Sequence, residues 1–211
     1  MYLSRVEIDM ENRTVLRTLN HLGAYHNWVE QAFPDEVMQG TRSRKLWRID
    51  QIAGKRYLLV VSEAKPNCEQ MESYAVKGSF GCKDYEPFLQ SIKQGEALRF
   101  RVTLNPVHSV FEENKNTRGK VFPIYAEAAQ CKFFLERAEK HGFHVEPDQF
   151  LIVERGEETL LKKGKRKVDL VKATYEGTLT VENPKLFVDL LCQGMGREKA
   201  YGFGMMTVIR G

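Results

Sequence analysis

The chain has 211 residues, of which 42% are hydrophobic and 28% charged, with a formal net charge of +4; this composition excludes a disordered chain and leaves room for one large domain or two of about 100 residues. The apolar run at 57–61 is far shorter than the ~20 residues that span a bilayer, and the first residues alternate apolar with polar rather than forming the apolar centre of a secretory leader. A protein of the cytoplasm, with no membrane partner, is therefore expected. Cys68, Cys82, Cys131 and Cys192 include no C-x-x-C pair, which argues against a zinc site and a disulfide framework and predicts reduced packing residues.

In chain order, Val6 and Ile8 alternate with polar neighbours and predict a strand at 2–9. Val15, Leu16, Leu19, Leu22, Tyr25, Trp28, Val29, Ala32 and Phe33 then recur at helical spacing, with a break expected at Gly23 and an end at Pro34. "KLWRIDQI" and "RYLLVVSE" read as strands joined by a tight turn at Ala53-Gly54. A short helix at 67–72 and a strand at "SYAVKGSF" complete a β-α-β-β-(α)-β order over residues 1–92.

The order repeats over residues 95–211. "ALRFRVTLNPV" is a strand ended by Asn105-Pro106, and after a polar loop at 112–120 a helix is expected from Pro123 to Gly142. "FHVEPDQFLIVER" and "VDLVKATYEGTLTV" follow as strands with a basic turn between them. Asn183-Pro184 opens a helix through Cys192, and "GFGMMTVIR" is the last strand. Two βαββαβ units predict an α+β fold of tandem ferredoxin-like domains, akin to the RNA-recognition fold, with a shallow cleft between the sheets.

Two stretches carry unusual chemistry. "KKGKRKVDLVK" at 162–172 holds six basic residues and one acid, so a hairpin tip bearing Lys162, Lys163, Lys165, Arg166 and Lys167, with Lys172 behind it, suits either a polyanion or a merely solvated edge. "GMGREKAYGFG" at 194–204 sets four glycines around Arg197 and Lys199; Gly194 and Gly196 would let backbone amides approach a phosphate, or simply make a tight helix-to-strand connection. "GFGMMTV" partly matches the aromatic strand of RNA-recognition domains, but only Phe203 would be able to stack on a base.

None of the five histidines has a partner at metal-ligand spacing, and no metal or other cofactor is expected. His26 is singled out because a helix starting near Gly23 would place it in the first turn, where the helix dipole favours the neutral ring. Tyr25 is its neighbour, and adjacent helical residues do not share a face.

"MYLSRVEI", "YHNWVEQAFP", "LRFRVTLNPV", "YEGTLTV" and "GMGREKAYGFGMMTV" together resemble the CRISPR-associated CasE endoribonucleases, end to end. That resemblance implies an enzyme that cuts repeat stem-loops in precursor RNA and stays with other Cascade subunits. It implies catalysis by His26; some members carry a tyrosine at the position of Gly23, and here either Tyr25 substitutes for it or no tyrosine takes part. It also implies RNA contacts from Lys162, Lys163, Lys165, Arg166, Lys167 and Lys172 on the hairpin and from Gly194, Gly196, Arg197 and Lys199 in the glycine loop. The implied reaction is attack of a ribose 2′-OH on the adjoining phosphorus, leaving a 2′,3′-cyclic phosphate. A non-catalytic RNA-binding subunit is the alternative expectation.

Overall fold

Alternation in β1 (Tyr2–Glu7) sends Ser4 and Val6 inward, and the strand pairs antiparallel on both edges. The computed structural model describes residues 1–110, 119–162 and 166–211. Asn12 caps α1 (Arg13–Thr18) by accepting from the Thr14 and Val15 amides at 3.0 and 3.4 Å, and α2 (Leu22–Gln31) and α3 (Pro34–Gln39) follow. Next come β2 (Lys45–Ile52) and β3 (Lys55–Ser62), joined through Ala53 and Gly54 at φ 50° and 80°, the twin left-handed residues of a tight hairpin turn. After α4 (Cys68–Met71), β4 (Gly81–Asp84) and α5 (Glu86–Gln90), the first sheet has the order β2-β3-β1-β4, which is the ferredoxin-like arrangement.

The second sheet has the same order. Its strands are β5 (Ala97–Leu104), β8 (Phe143–His144), β9 (Phe150–Lys162), β10 (Arg166–Val181) and β11 (Met206–Ile209), arranged β11-β5-β10-β8 with β9 also on β10. The helices are α6 (Glu127–Ala138) and α7 (Pro184–Gln193), the latter capped by Asn183. A small hairpin, β6 (Val107–Val110) with β7 (Lys120–Pro123), is inserted between β5 and α6. The fold is thus α+β with tandem ferredoxin-like units, as the sequence predicts.

Packing locks the two sheets together. Leu46 and Val61 of the first sheet join the core of Leu98, Val102, Phe134, Phe187 and Met206, while Leu160, Leu170 and Phe203 of the second half enter the core around Trp28, Trp47 and Leu58. At the seam Arg48 is 2% exposed with all five donors used. Nε and Nη2 donate to Asp50 at 2.7 Å each, Nη1 to the carbonyls of Arg101 and Met205 at 2.7 and 2.8 Å, and Nη2 to Thr207 Oγ1 at 2.7 Å. Arg101 Nε adds an ion pair to Asp50 at 3.2 Å.

Several expected boundaries move, each for a local reason. Pro34 opens α3 instead of ending a helix, because a first-turn position needs no amide hydrogen, and Gly40 at φ 64° closes it. The helical break falls at 19–21, and Gly23 lies inside α2. Gly78 at φ 75° turns the "SYAVKGSF" segment, and the Phe80 amide donates to Glu72 Oε1, so the fourth strand begins only at Gly81. Pro123 ends β7, an edge position where a missing amide is tolerated, and α6 starts at Glu127. The polar loop expected at 112–120 lies largely outside the described residues. All four cysteines are free, but Cys68 is exposed rather than packed.

Candidate active site

α2 turns its apolar face, including Leu22, Tyr25, Trp28 and Val29, to the core, which leaves His26 at the rim. The helix starts at Leu22, so His26 begins its second turn rather than its first. The ring meets Tyr201 edge-on at 5.3 Å, beside the 3-10 turn Lys199–Tyr201 of the glycine loop. Arg42, in the coil between α3 and β2, places Nη2 2.8 Å from His26 Nε2 and 3.2 Å from Glu30 Oε1. Arginine has only donors, so Nε2 accepts and the ring proton sits on Nδ1. Glu30, one helical turn on, has Oε1 3.8 Å from that Nδ1.

Burial holds the His26 pKa below the ordinary imidazole value; Glu30 pulls it up, the Arg42 charge pushes it down, a hydrogen bond to the Ala200 carbonyl raises it and Lys45 lowers it. At neutral pH the ring is therefore uncharged, with 21% side-chain exposure. Lys45 stands behind Glu30, its own side chain buried over the Phe33 ring at 4.7 Å, with Nζ 2.5 Å from Glu36 and 3.7 Å from Glu30. Positive charge thus surrounds one half-exposed base. Arg42, Glu30, Lys45 and Tyr201 were invisible as site residues in the sequence; the spacing of Glu30 from His26 was the one available signal, since residues four apart share a helix face.

Tyr25 lies on a different face. It is 7% exposed, stacks on Trp47 with centroids 5.9 Å apart, and burial raises its pKa. It lines a cleft with Arg56, Glu154, Glu158 and Lys172 rather than the pocket of charge around His26. Gly23 faces the hairpin: a Cβ there would stand 3.0 Å from the His21 ring and 3.6 Å from the Leu161 carbonyl.

The basic turn does fall between β9 and β10, and β9 runs against α2. Lys162 is the last residue of β9, and Lys163 and Lys165 lie outside the described residues. Arg166 and Lys167 are exposed, with Lys167 3.3 Å from Asp169. Lys172 is different: its Nζ donates to Glu154 and Glu158 at 2.7 and 2.9 Å and is only 18% exposed, so its charge is already matched within the protein. The expectation of an RNA contact from Lys172 does not fit that environment.

In the glycine loop all four glycines have φ between 69° and 85°. The conformation serves close packing at three of them. A Cβ on Gly194 would meet Leu46 at 2.8 Å, on Gly202 the Trp47 ring at 2.7 Å, and on Gly204 the Met195 carbonyl at 2.3 Å; Gly196 is exposed and open. Arg197 is exposed, donating to Ser109 Oγ at 3.3 Å, while Lys199 Nζ donates to the Gly194 carbonyl at 3.4 Å, and burial followed by the Arg44 charge lowers its pKa. Trp47 Nε1 donates to the Ala200 carbonyl at 3.0 Å. Phe203 is buried in the core and cannot stack on a base. Gly202→Ala is expected to destabilise the fold by roughly 1–3 kcal/mol through overpacking on Trp47 and backbone strain, read as a lower urea midpoint at unchanged slope.

The fold and site define a tandem ferredoxin-like protein whose seam carries a neutral histidine ringed by arginine, lysine and carboxylate. The model of the family described as "CRISPR associated protein" matches residues 1–210, and the chain belongs to that family. A curated relative, the CRISPR-associated endoribonuclease Cse3 of Thermus thermophilus, is 24% identical over 219 residues, covering 99% of both chains. A solved CRISPR endoribonuclease Cse3 bound to 19 nt RNA matches with a TM-score of 0.82 at 23% identity, over 99% of this chain and 100% of that one. A chain of a CRISPR RNA-guided surveillance complex matches at 0.73 and 16% identity, over all of both chains. These structural likenesses bear on the fold. Among the described residues, no helix is long and apolar enough to cross a membrane.

Proposed function

We propose that this protein is a cytoplasmic endoribonuclease that cuts CRISPR repeat stem-loops in precursor RNA and then remains on its product as a subunit of an RNA-guided surveillance complex. The observation that carries the reading is the neutral His26, its Nε2 lone pair facing the exposed Arg42 guanidinium at the junction of α2 and the glycine loop. The relatives named as CRISPR endoribonucleases support the substrate class.

In the proposed reaction the ribose 2′-oxygen bonds to phosphorus while the bond to the 5′-oxygen breaks. His26 Nε2 accepts the 2′-OH proton and the departing oxygen takes a proton from water, leaving a 2′,3′-cyclic phosphate and a 5′-OH. The nucleophile comes from the substrate, and the protein supplies a base and positive charge where the phosphorane becomes anionic. Tyr25 keeps a packing role. Arg166 and Lys167, with Lys162, Lys163 and Lys165, hold the duplex stem, and Arg197 lies on the exposed part of the glycine loop for backbone contact. Stem shape and phosphates dominate such recognition, because the deep major groove of A-form RNA resists side-chain readout.

The test is incubation with a repeat stem-loop in EDTA, followed by analysis of the product ends. Cleavage at one position with a cyclic phosphate is expected, and a single 2′-deoxynucleotide on the 5′ side of the scissile phosphate should abolish it. Continued cutting of that substrate would mean attack by water. Tight binding without any cutting would instead favour a non-catalytic RNA-binding subunit.

A further inference from the structure

The best proton-accepting atom of the site is already occupied. Arg42 Nη2 lies 2.8 Å from His26 Nε2, and since the guanidinium cannot accept, the Nε2 lone pair is committed to it. The same Nη2 donates to Glu30 Oε1 at 3.2 Å, so the carboxylate holds the guanidinium over the ring. The groups facing His26 are Glu30 from α2, Arg42 from the α3–β2 coil, Lys45 from β2 and the Ala200–Tyr201 turn. Only one of the three charged side chains is free to leave. Lys45 is buried between Glu36 and Glu30 and Glu30 is half-buried, whereas the Arg42 side chain is 60% exposed. Its neighbour Ser43 is pinned, donating its amide to Glu36 at 3.0 Å and its hydroxyl at 2.5 Å. The coil therefore stays in place while the Arg42 side chain can pivot.

We propose that Arg42 is a latch on His26: its guanidinium caps Nε2 in the free protein, and a phosphate of the bound strand draws it off, uncovering the lone pair beside the charge that anchors the phosphate. The inference deepens the assignment of His26 as the general base and rests on it. A phosphate competes well for this arginine, because it offers a planar guanidinium two charge-assisted hydrogen bonds in place of one bond to a neutral ring and one to Glu30. The device keeps the base idle until RNA is seated. Arg42 is then a positioning residue in the free state and a phosphate contact in the complex.

The latch can be read without any cleavage. Carbethoxylation of His26 by diethyl pyrocarbonate needs a free imidazole lone pair, and mass spectrometry of the RNA-free protein gives its rate. Arg42→Ala should react roughly tenfold or more faster than the parent protein, reflecting loss of a charge-assisted hydrogen bond, while Arg42→Lys should lie between them. In parallel, the ¹⁵N shift of His26 Nε2 in the parent protein should move toward the Arg42→Ala value when a repeat stem-loop blocked by a 2′-deoxynucleotide is added. Equal carbethoxylation rates in parent and Arg42→Ala, or an Nε2 shift unmoved by saturating blocked RNA, would overturn the latch. A His26→Ala protein that still cut RNA would remove the catalytic assignment but would leave these two readouts untouched, so the two failures are distinguishable.

Discussion

His26→Ala is expected to slow cleavage of a repeat stem-loop by roughly 10²–10⁴-fold, the usual contribution of a positioned acid or base, while RNA affinity changes little. The two effects separate because the ring contributes no charge to phosphate binding at neutral pH: burial is the largest influence on its pKa and lowers it. Single-turnover cleavage and filter binding at one salt concentration measure both. A base whose pKa lies below the ordinary imidazole value also dictates the pH profile of the parent protein. Measured as kcat/KM, which reports the ring before RNA is seated, the rate should rise with pH along a limb centred below about 6.5 and then level off. A limb centred above that value, or equal cutting by the variant, would contradict the assignment. The same shift has a small stability consequence: the ring protonates less readily folded than unfolded, so its contribution is present above the unfolded pKa and declines as pH falls through the folded one.

Arg48→Ala should damage the fold severely, lowering stability by roughly 3–5 kcal/mol, the range for breaking a buried ion pair by removing one partner. The guanidinium makes five hydrogen bonds, two to Asp50 on its own strand and three across the seam between the sheets, to the backbone carbonyls of Arg101 and Met205 and to Thr207 Oγ1. Without it, Asp50 keeps Arg101 Nε at 3.2 Å but loses both of its shorter bonds. Urea denaturation measures the loss. The double variant Arg48→Met/Asp50→Leu should recover part of it, because the buried Asp50 carboxylate goes with the guanidinium, while Arg101 loses its Asp50 partner and keeps Glu176. If the single variant melted like the parent, the seam would not depend on this cluster.

Much of this architecture is legible along the chain because it depends on near neighbours. Period-two patterning marks β1 and β5, and short apolar runs on either side of a turn mark β2 and β3; Asn67 and Asn183 mark helix starts, and Ala53-Gly54 and Gly142 mark turns, since each acts through hydrogen bonds or dihedral angles within a few residues. The boundaries that shift, at Pro34, Gly78 and Pro123, are residues compatible with two local structures; the Glu72 carboxylate decides near Gly78 and strand pairing at Pro123. His26 stands out in the sequence mainly through family resemblance, and its identity as a base needs only the residue type.

The neighbours of His26 obey no such local rule. Arg42 arrives from a coil sixteen residues away, and Tyr201 from the far end of the chain, where Gly202 lets the last loop lie flat on Trp47. The same distance explains Lys172, which reads as one more basic residue of the hairpin yet is neutralised by Glu154 and Glu158 across the strand pair. The sequence by itself determined two ferredoxin-like units, a basic hairpin and a histidine of interest, because backbone propensity and hydrophobic period are short-range. Which charges surround that histidine, and which lysines still have a charge to offer RNA, was decided by tertiary packing alone, since ion pairs and desolvation depend on separation in space and not along the chain.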